Sequence, residues 1–95
     1  MSITRINEFQ ARDSEGRALY EFLKSVLPLV QEADGNISCK ILQNEEDPTQ
    51  IIVIEVWENK EAHKESVNTI PSDLLMEAMQ YIAVPPKGAY YKSEY

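Results

Sequence analysis

The chain has 95 residues, 43% of them hydrophobic and 26% charged, with a net charge of −7; this is the size and balance of one globular domain, residues 1–95. The nine Lys and Arg residues are scattered along the chain, so the dense basic footprint needed for nucleic acid or an anionic membrane surface is lacking. Cys39 is the single cysteine, which excludes an intrachain disulfide and a cysteine-based metal cluster.

Met1 to Arg5 contains no apolar core of signal-peptide length. No segment approaches the roughly 18 apolar residues of a membrane span. The expectation is a cytoplasmic protein. A domain this small buries only about 60–65% of its unfolded surface, so a second copy that covers a further apolar face would stabilise it.

In chain order, Ile3 to Ala11 reads as a first strand. Ile3, Phe9 and Ala11 share one parity, with Arg5 and Asn7 between them. Asp13 or Ser14 is placed to cap a helix. Its apolar stripe is Leu19, Phe22, Leu23, Val26, Leu27, Val30 and Ala33, at helical spacing. Pro28 lies within this run but off the stripe, so a bend is expected there rather than a stop. Gly35 suits the end of the helix because it accepts a left-handed backbone.

Asn36 to Gln43 alternates and predicts a second strand, with Ile37, Cys39 and Ile41 on one face. Asn44 to Pro48 is a polar, hairpin-type connection. Ile51 to Trp57 is the third strand. Ile51, Val53 and Trp57 lie on one side and Ile52, Ile54 and Val56 on the other, so both sides are covered. Asn59 can cap a short helix over about Lys60 to Asn68. Pro71 interrupts the pattern, and Ser72 can cap a further helical piece with Leu74, Leu75, Ala78, Met79 and Ile82 as its stripe. Pro85-Pro86 forbids more helix, and Ala89 to Tyr95 reads as a last, aromatic-rich strand.

The fold class is therefore α+β, in the ferredoxin-like order β-α-β-β-α-β, with both helical regions on one face of a four-stranded antiparallel sheet. The third strand makes the other face apolar too. An open apolar face of that size marks an interaction surface, and a two-fold related copy docked there would form a homodimer through the open sheet face.

The stretch Ile52-Val53-Ile54-Glu55-Val56-Trp57-Glu58-Asn59-Lys60-Glu61-Ala62-His63 combines an apolar strand ending in Glu-x-Trp, a polar turn and a helix that begins with Glu-Ala. With the Gly35 turn and the first helix, it resembles the antibiotic biosynthesis monooxygenase family over roughly Ile6 to Tyr91. The resemblance implies a dimeric α/β barrel with a pocket between each subunit's helices and its own sheet. It also implies oxidation of quinols, anthrones or similar aromatics by dioxygen, with no metal or flavin cofactor. Other members degrade haem or act on small signalling molecules. Many members carry a histidine nine residues after the tryptophan, where this chain has Ser66. The haem-degrading branch has its catalytic tryptophan at that same point and its haem-ligating histidine near Met76, while its catalytic asparagine falls at or near Asn7. Two of those three are missing, which argues against haem degradation.

His63, the only histidine, shares an inward helix face with Ser66, Val67 and Ile70. It is the candidate base, because an imidazole titrates near working pH; alone it cannot build a metal site, and no metal is expected. Asn7 is the candidate donor to a developing oxyanion. Trp57 is the candidate stacking wall, with Ser66, Phe9 and Met79 as further substrate contacts. Each has a plainer reading. Trp57 suits a core indole whose N–H finds a carbonyl. His63 suits a half-buried helix residue, and Asn7 a polar residue at the strand edge. Met76 and Met79 read as adaptable core filler, and Cys39 as a small buried apolar side chain. Glu55 reads as an ion-pair or interface residue facing Arg5, Lys40 or Lys92; Tyr81, Tyr90 and Tyr91 read as packing or interface residues, any one of which could orient a ligand. The leading expectation is a cofactor-independent monooxygenase acting on a small aromatic or quinol-like molecule. The alternatives are a non-catalytic dimeric module that binds a small ligand, and an isomerase or aldolase-like enzyme acting on a small carbonyl compound.

Overall fold

The computed structural model describes residues 2–92. The elements run β1 (Ile3–Gln10), α1 (Gly16–Gln31), β2 (Asn36–Gln43), β3 (Gln50–Trp57), α2 (Lys60–Asn68), α3 (Ser72–Met79) and β4 (Lys87–Tyr91). The strands form one antiparallel sheet in the order β2-β3-β1-β4, which is the ferredoxin-like arrangement. Among the described residues no helix is long and apolar enough to cross a membrane.

β3 is central and its alternation is strict. Ile51, Val53, Glu55 and Trp57 are buried beneath the helices. Ile52, Ile54 and Val56 face the other side of the sheet, where Ile52, Leu42 and Tyr91 are exposed in the single chain. The apolar character of both sides, read from the sequence, is present.

Along α1 the stripe does two things. Leu19, near its start, is fully buried with Ala11 and Ile51, and Phe9, Tyr20, Leu23, Ile41, Tyr81 and Ile82 pack around this cluster. Further along, Phe22, Leu23, Val26, Leu27 and Val30 roof a cavity. Pro28 does not stop the helix; its carbonyl accepts from Glu32 N at 3.0 Å.

Several boundaries differ from the sequence reading. Neither Asp13 nor Ser14 caps α1: Glu15 holds the N-cap position, without a side-chain bond. The reason is a tight turn in which Glu15 N donates to Arg12 O at 2.9 Å, with Ser14 at a φ of 68°; a capping side chain needs an extended backbone. Ser72 is likewise the first helical residue of α3 and not its cap, because Pro71 takes the N-cap position and accepts from Leu74 N. Ile37 does not join Cys39 and Ile41. A bulge between Asn36 and Ser38 inserts it as an extra residue and turns it outward. Ala11 leaves β1 for an isolated bridge to Ile82. β4 begins two residues before the expected Ala89, and the part of that expected strand beyond residue 92 lies outside the described residues.

Gly35 has a φ of +85°, and a Cβ there would meet Ala62 Cβ at 2.6 Å. The turn after α1 therefore uses both properties of glycine, its left-handed backbone and its lack of a side chain. This lets α2 settle close to the start of β2.

Candidate active site

A cavity of about 260 Å³ lies between the three helices and the helix-facing side of the sheet. Its roof is apolar, drawn from α1 and from Val67, Ile70, Leu74 and Ala78. Its floor is where the alternation of apolar residues breaks: Arg5 and Asn7 on β1, Glu55 on β3 and Cys39 on β2 all point into it. Register explains the convergence, since Arg5 pairs with both Glu55 and Tyr90, and Cys39 pairs with Glu55.

His63 is brought in by α2. Asn59 Oδ1 accepts from Ala62 N at 2.8 Å and fixes the start of the helix; the histidine follows within its first turn. It is 8% exposed. Nδ1 lies 2.6 Å from the Tyr90 hydroxyl, and the Tyr90 ring stands edge-on to the imidazole. Nε2 lies 3.9 Å from Glu55 Oε1. With the proton on Nδ1 donated to Tyr90, Nε2 offers a lone pair; with Tyr90 donating, Nε2 carries the proton toward Glu55. Ser66 Oγ donates to the His63 carbonyl at 2.6 Å. This joins the residue nine positions after the tryptophan to the histidine's own backbone.

Glu55, 7% exposed, is the hub. Oε1 accepts from Trp57 Nε1 at 2.9 Å and Oε2 from Asn7 Nδ2 at 3.1 Å; Asn7 Oδ1 in turn accepts from Arg5 Nε at 3.1 Å. Burial holds its carboxyl above the ordinary glutamate value; the Trp57 bond, the Arg5 charge and the Asn7 bond pull the other way and do not fully offset it. Burial, helped by the Arg5 charge, holds His63 below the ordinary histidine value, so the ring is neutral near neutral pH and able to accept a proton. Burial and the Glu55 charge push the Cys39 thiol up to about 12, which keeps it protonated and unreactive.

These shifts make stability depend on pH in a defined way. A glutamate whose folded value is raised contributes stability that is complete below its unfolded value of about 4.5 and is lost as pH rises through the folded value. A histidine whose folded value is lowered contributes stability present above about 6.5 and lost as pH falls through its folded value. Glu55→Gln removes the first effect and keeps the second. The variant's stability relative to the parent should therefore climb as pH rises above about 4.5, measured as urea midpoints at a series of pH values. A difference that stays flat would refute this account of Glu55.

Of the residues singled out from the sequence, His63, Asn7, Phe9 and Ser66 all line the cavity. Trp57 does not. It is fully buried behind the floor, edge-on to His63 with ring centroids 5.6 Å apart, and its indole N–H goes to the Glu55 carboxylate instead of a carbonyl. It supports the site and is not a stacking wall. Met79 does not line the cavity either. α3 turns Leu74 and Ala78 inward, which leaves Met79, about one-quarter turn further round, 69% exposed beside Pro85 and Pro86. Met76 is 70% exposed, so nothing at that position reaches the cavity, and neither methionine is core filler. Glu55 and Arg5 were not legible as site residues from their own neighbours in sequence, and Tyr90 was legible only as one of three tyrosines able to orient a ligand. The signal for the first two was polarity at core-facing positions of buried strands. Among the described residues no cluster of three or more His, Cys, Asp or Glu side chains is placed to hold a metal ion.

The antibiotic biosynthesis monooxygenase family model matches residues 2–79. No curated protein matches the chain. Among solved structures, the candidate antibiotic biosynthesis monooxygenase of Nitrosomonas europaea is similar at 20% identity and a TM-score of 0.89, covering 99% of this chain and 91% of that one. A conserved protein from Methanosarcina mazei Go1 is similar at 13% identity and a TM-score of 0.87, covering 99% and 94%. A variant of SnoaB, a cofactor-independent oxygenase from Streptomyces nogalater, is similar at 10% identity and a TM-score of 0.82, covering 99% and 94%. At these identities the structural likenesses speak for the fold, while the family model spans most of the sequence. The chain belongs to the antibiotic biosynthesis monooxygenase family.

Proposed function

We propose that this protein is a monooxygenase that oxidises a small aromatic, quinol-like substrate with dioxygen, using side chains alone. The observation that carries this reading is a recess with an apolar roof over a floor of linked polar groups, with a neutral imidazole beside a buried carboxylate. At about 260 Å³ the recess falls just below the range of roughly 300–1,000 Å³ typical of sites for drug-sized ligands. One small ring system fits such a space. SnoaB, similar in fold, is described as a cofactor-independent oxygenase, which supports the same chemistry here.

In this reading His63 Nε2 takes the proton of a ring hydroxyl or activated methylene. Asn7 and the polar floor stabilise the oxyanion that forms. The carbanion-like substrate then gives electrons directly to dioxygen. One oxygen atom ends on the ring carbon and the other leaves as water. The apolar roof keeps bulk water away from the reactive intermediate. The test is oxygen uptake with a panel of quinols and anthrones in the presence of chelator, expected at one mole of dioxygen per mole of quinone formed. No uptake with any of them, together with thermal stabilisation by the same compounds, would favour a ligand-binding module instead.

The same reading includes a homodimer. Ile52, Ile54 and Val56, with Leu42 and Tyr91, present an apolar sheet face that a second copy would cover. Sedimentation at micromolar concentration should give a species of twice the chain mass; a stable single chain would remove the dimer from the proposal.

A further inference from the structure

Arg5 is the only Lys or Arg that borders the cavity, and among the described residues it has no anionic partner. The one side-chain ion contact there joins His63 to Glu55. Arg5 Nε is engaged by Asn7, while its two terminal nitrogens make no hydrogen bond to a described residue. The guanidinium is held in place all the same. Its carbon lies 4.7 Å from the centroid of the Tyr90 ring, a cation–π distance. It also crosses Gly88, where a Cβ would collide with Nη2 and come within 2.6 Å of Cζ and 2.7 Å of Asn7 Oδ1. Gly88 is thus the gap in β4 through which the guanidinium runs.

Glu55 feels this charge from across the sheet but makes no ion pair with it. Both Glu55 oxygens already accept from other donors, Trp57 and Asn7. Acidic residues outnumber basic ones by sixteen to nine in this chain, so a carboxylate partner for Arg5 would be easily supplied, yet none of the described ones pairs with it. A positioned cation with unused donors beside an apolar recess is suited to a planar anionic oxygen group.

We propose that Arg5 is a substrate-binding residue and that the cavity takes an aromatic compound bearing an ionised oxygen at one edge. The free edge of the guanidinium receives that oxygen, and the ring lies under Phe22, Val26 and Leu27. The inference rests on reading the cavity as the substrate site. The oxygen belongs either to an acidic ring hydroxyl or to a carboxylate substituent.

Calorimetric titration with three probes tests it: hydroxynaphthoquinone, ionised on a ring oxygen at neutral pH; naphthoate, a carboxylate; and naphthoquinone, neutral. At least one anion should bind the parent protein about tenfold or more tighter than the neutral probe, and the tighter anion identifies the source of the charge. The preference should collapse in Arg5→Gln. It should also collapse in Gly88→Ala, which keeps the charge but pushes the guanidinium aside. Equal binding of all three probes, binding of none, or a preference that survives Arg5→Gln overturns the proposal. Oxygen uptake reports separately: turnover of neutral quinols without anion preference removes Arg5 alone, whereas anion preference without turnover keeps Arg5 and removes the monooxygenase.

Discussion

Trp57→Ala is expected to destabilise the protein by roughly 3–5 kcal/mol, the range for removing a large aromatic side chain from a core. Two losses combine. The fully buried indole leaves a void at the end of β3, and the Glu55 carboxylate loses the donor at 2.9 Å that now meets Oε1. A buried carboxylate stripped of a partner carries a further desolvation penalty. Small domains hold only about 5–15 kcal/mol in total, so the variant should be close to unfolded at physiological temperature. Trp57→Phe separates the two terms: it keeps most of the bulk, lacks the N–H, and should lose about 1–3 kcal/mol. Urea unfolding of both variants decides the matter. A Trp57→Ala midpoint within error of the parent would mean that Trp57 anchors neither the core nor the carboxylate.

His63→Ala is expected to lower kcat for quinol oxidation by about 10²–10⁴-fold, the usual contribution of a positioned acid–base group. The fold should survive, because α2 is fixed at its start by the Asn59 cap and by the fit of Ala62 against Gly35. Tyr90→Phe provides the graded comparison. It leaves the imidazole in place and removes the hydroxyl 2.6 Å from Nδ1, so it should reduce kcat less than His63→Ala and alter the pH profile through the tautomer balance. Oxygen uptake at saturating quinol measures both. Full turnover by His63→Ala would move the base elsewhere, with Glu55 the next group in line.

Much of the fold was legible because its signals are local. Asn59 followed by the α2 pattern, the Gly35 turn and the alternation of β3 each depend on neighbours a few residues apart, and each appears where expected. The errors at Ser14, Ile37 and Ser72 share a cause. A turn, a bulge and a proline decided the backbone there, and a side chain's capping or strand preference yielded to them. His63, Ser66 and Val67 were correctly placed on one inward face, since helical spacing determines that, and Ile70 reaches the same cavity from the turn beyond the end of α2. The rest of the site depends on register. The sequence offered Arg5 only as one of three charged residues that Glu55 could face; that Glu55 stands opposite Arg5, and within reach of Asn7 and His63, follows from the pairing of β1 with β3 and from where α2 crosses the sheet. Trp57 and Met79 were misassigned for the same reason, because an apolar stripe shows which side is inward and not which inward residue meets empty space.

The division of α1 has a consequence for how such proteins diversify. Its opening turns clamp the chain together through Leu19, while its later turns shape the ceiling above the cavity. Val26, Leu27 and Val30 border empty space and lie outside the Leu19 cluster, so a change of size at these positions reshapes the cavity before it disturbs that cluster. New molecules can be accommodated by re-carving that ceiling, while the polar groups beneath it stay as they are.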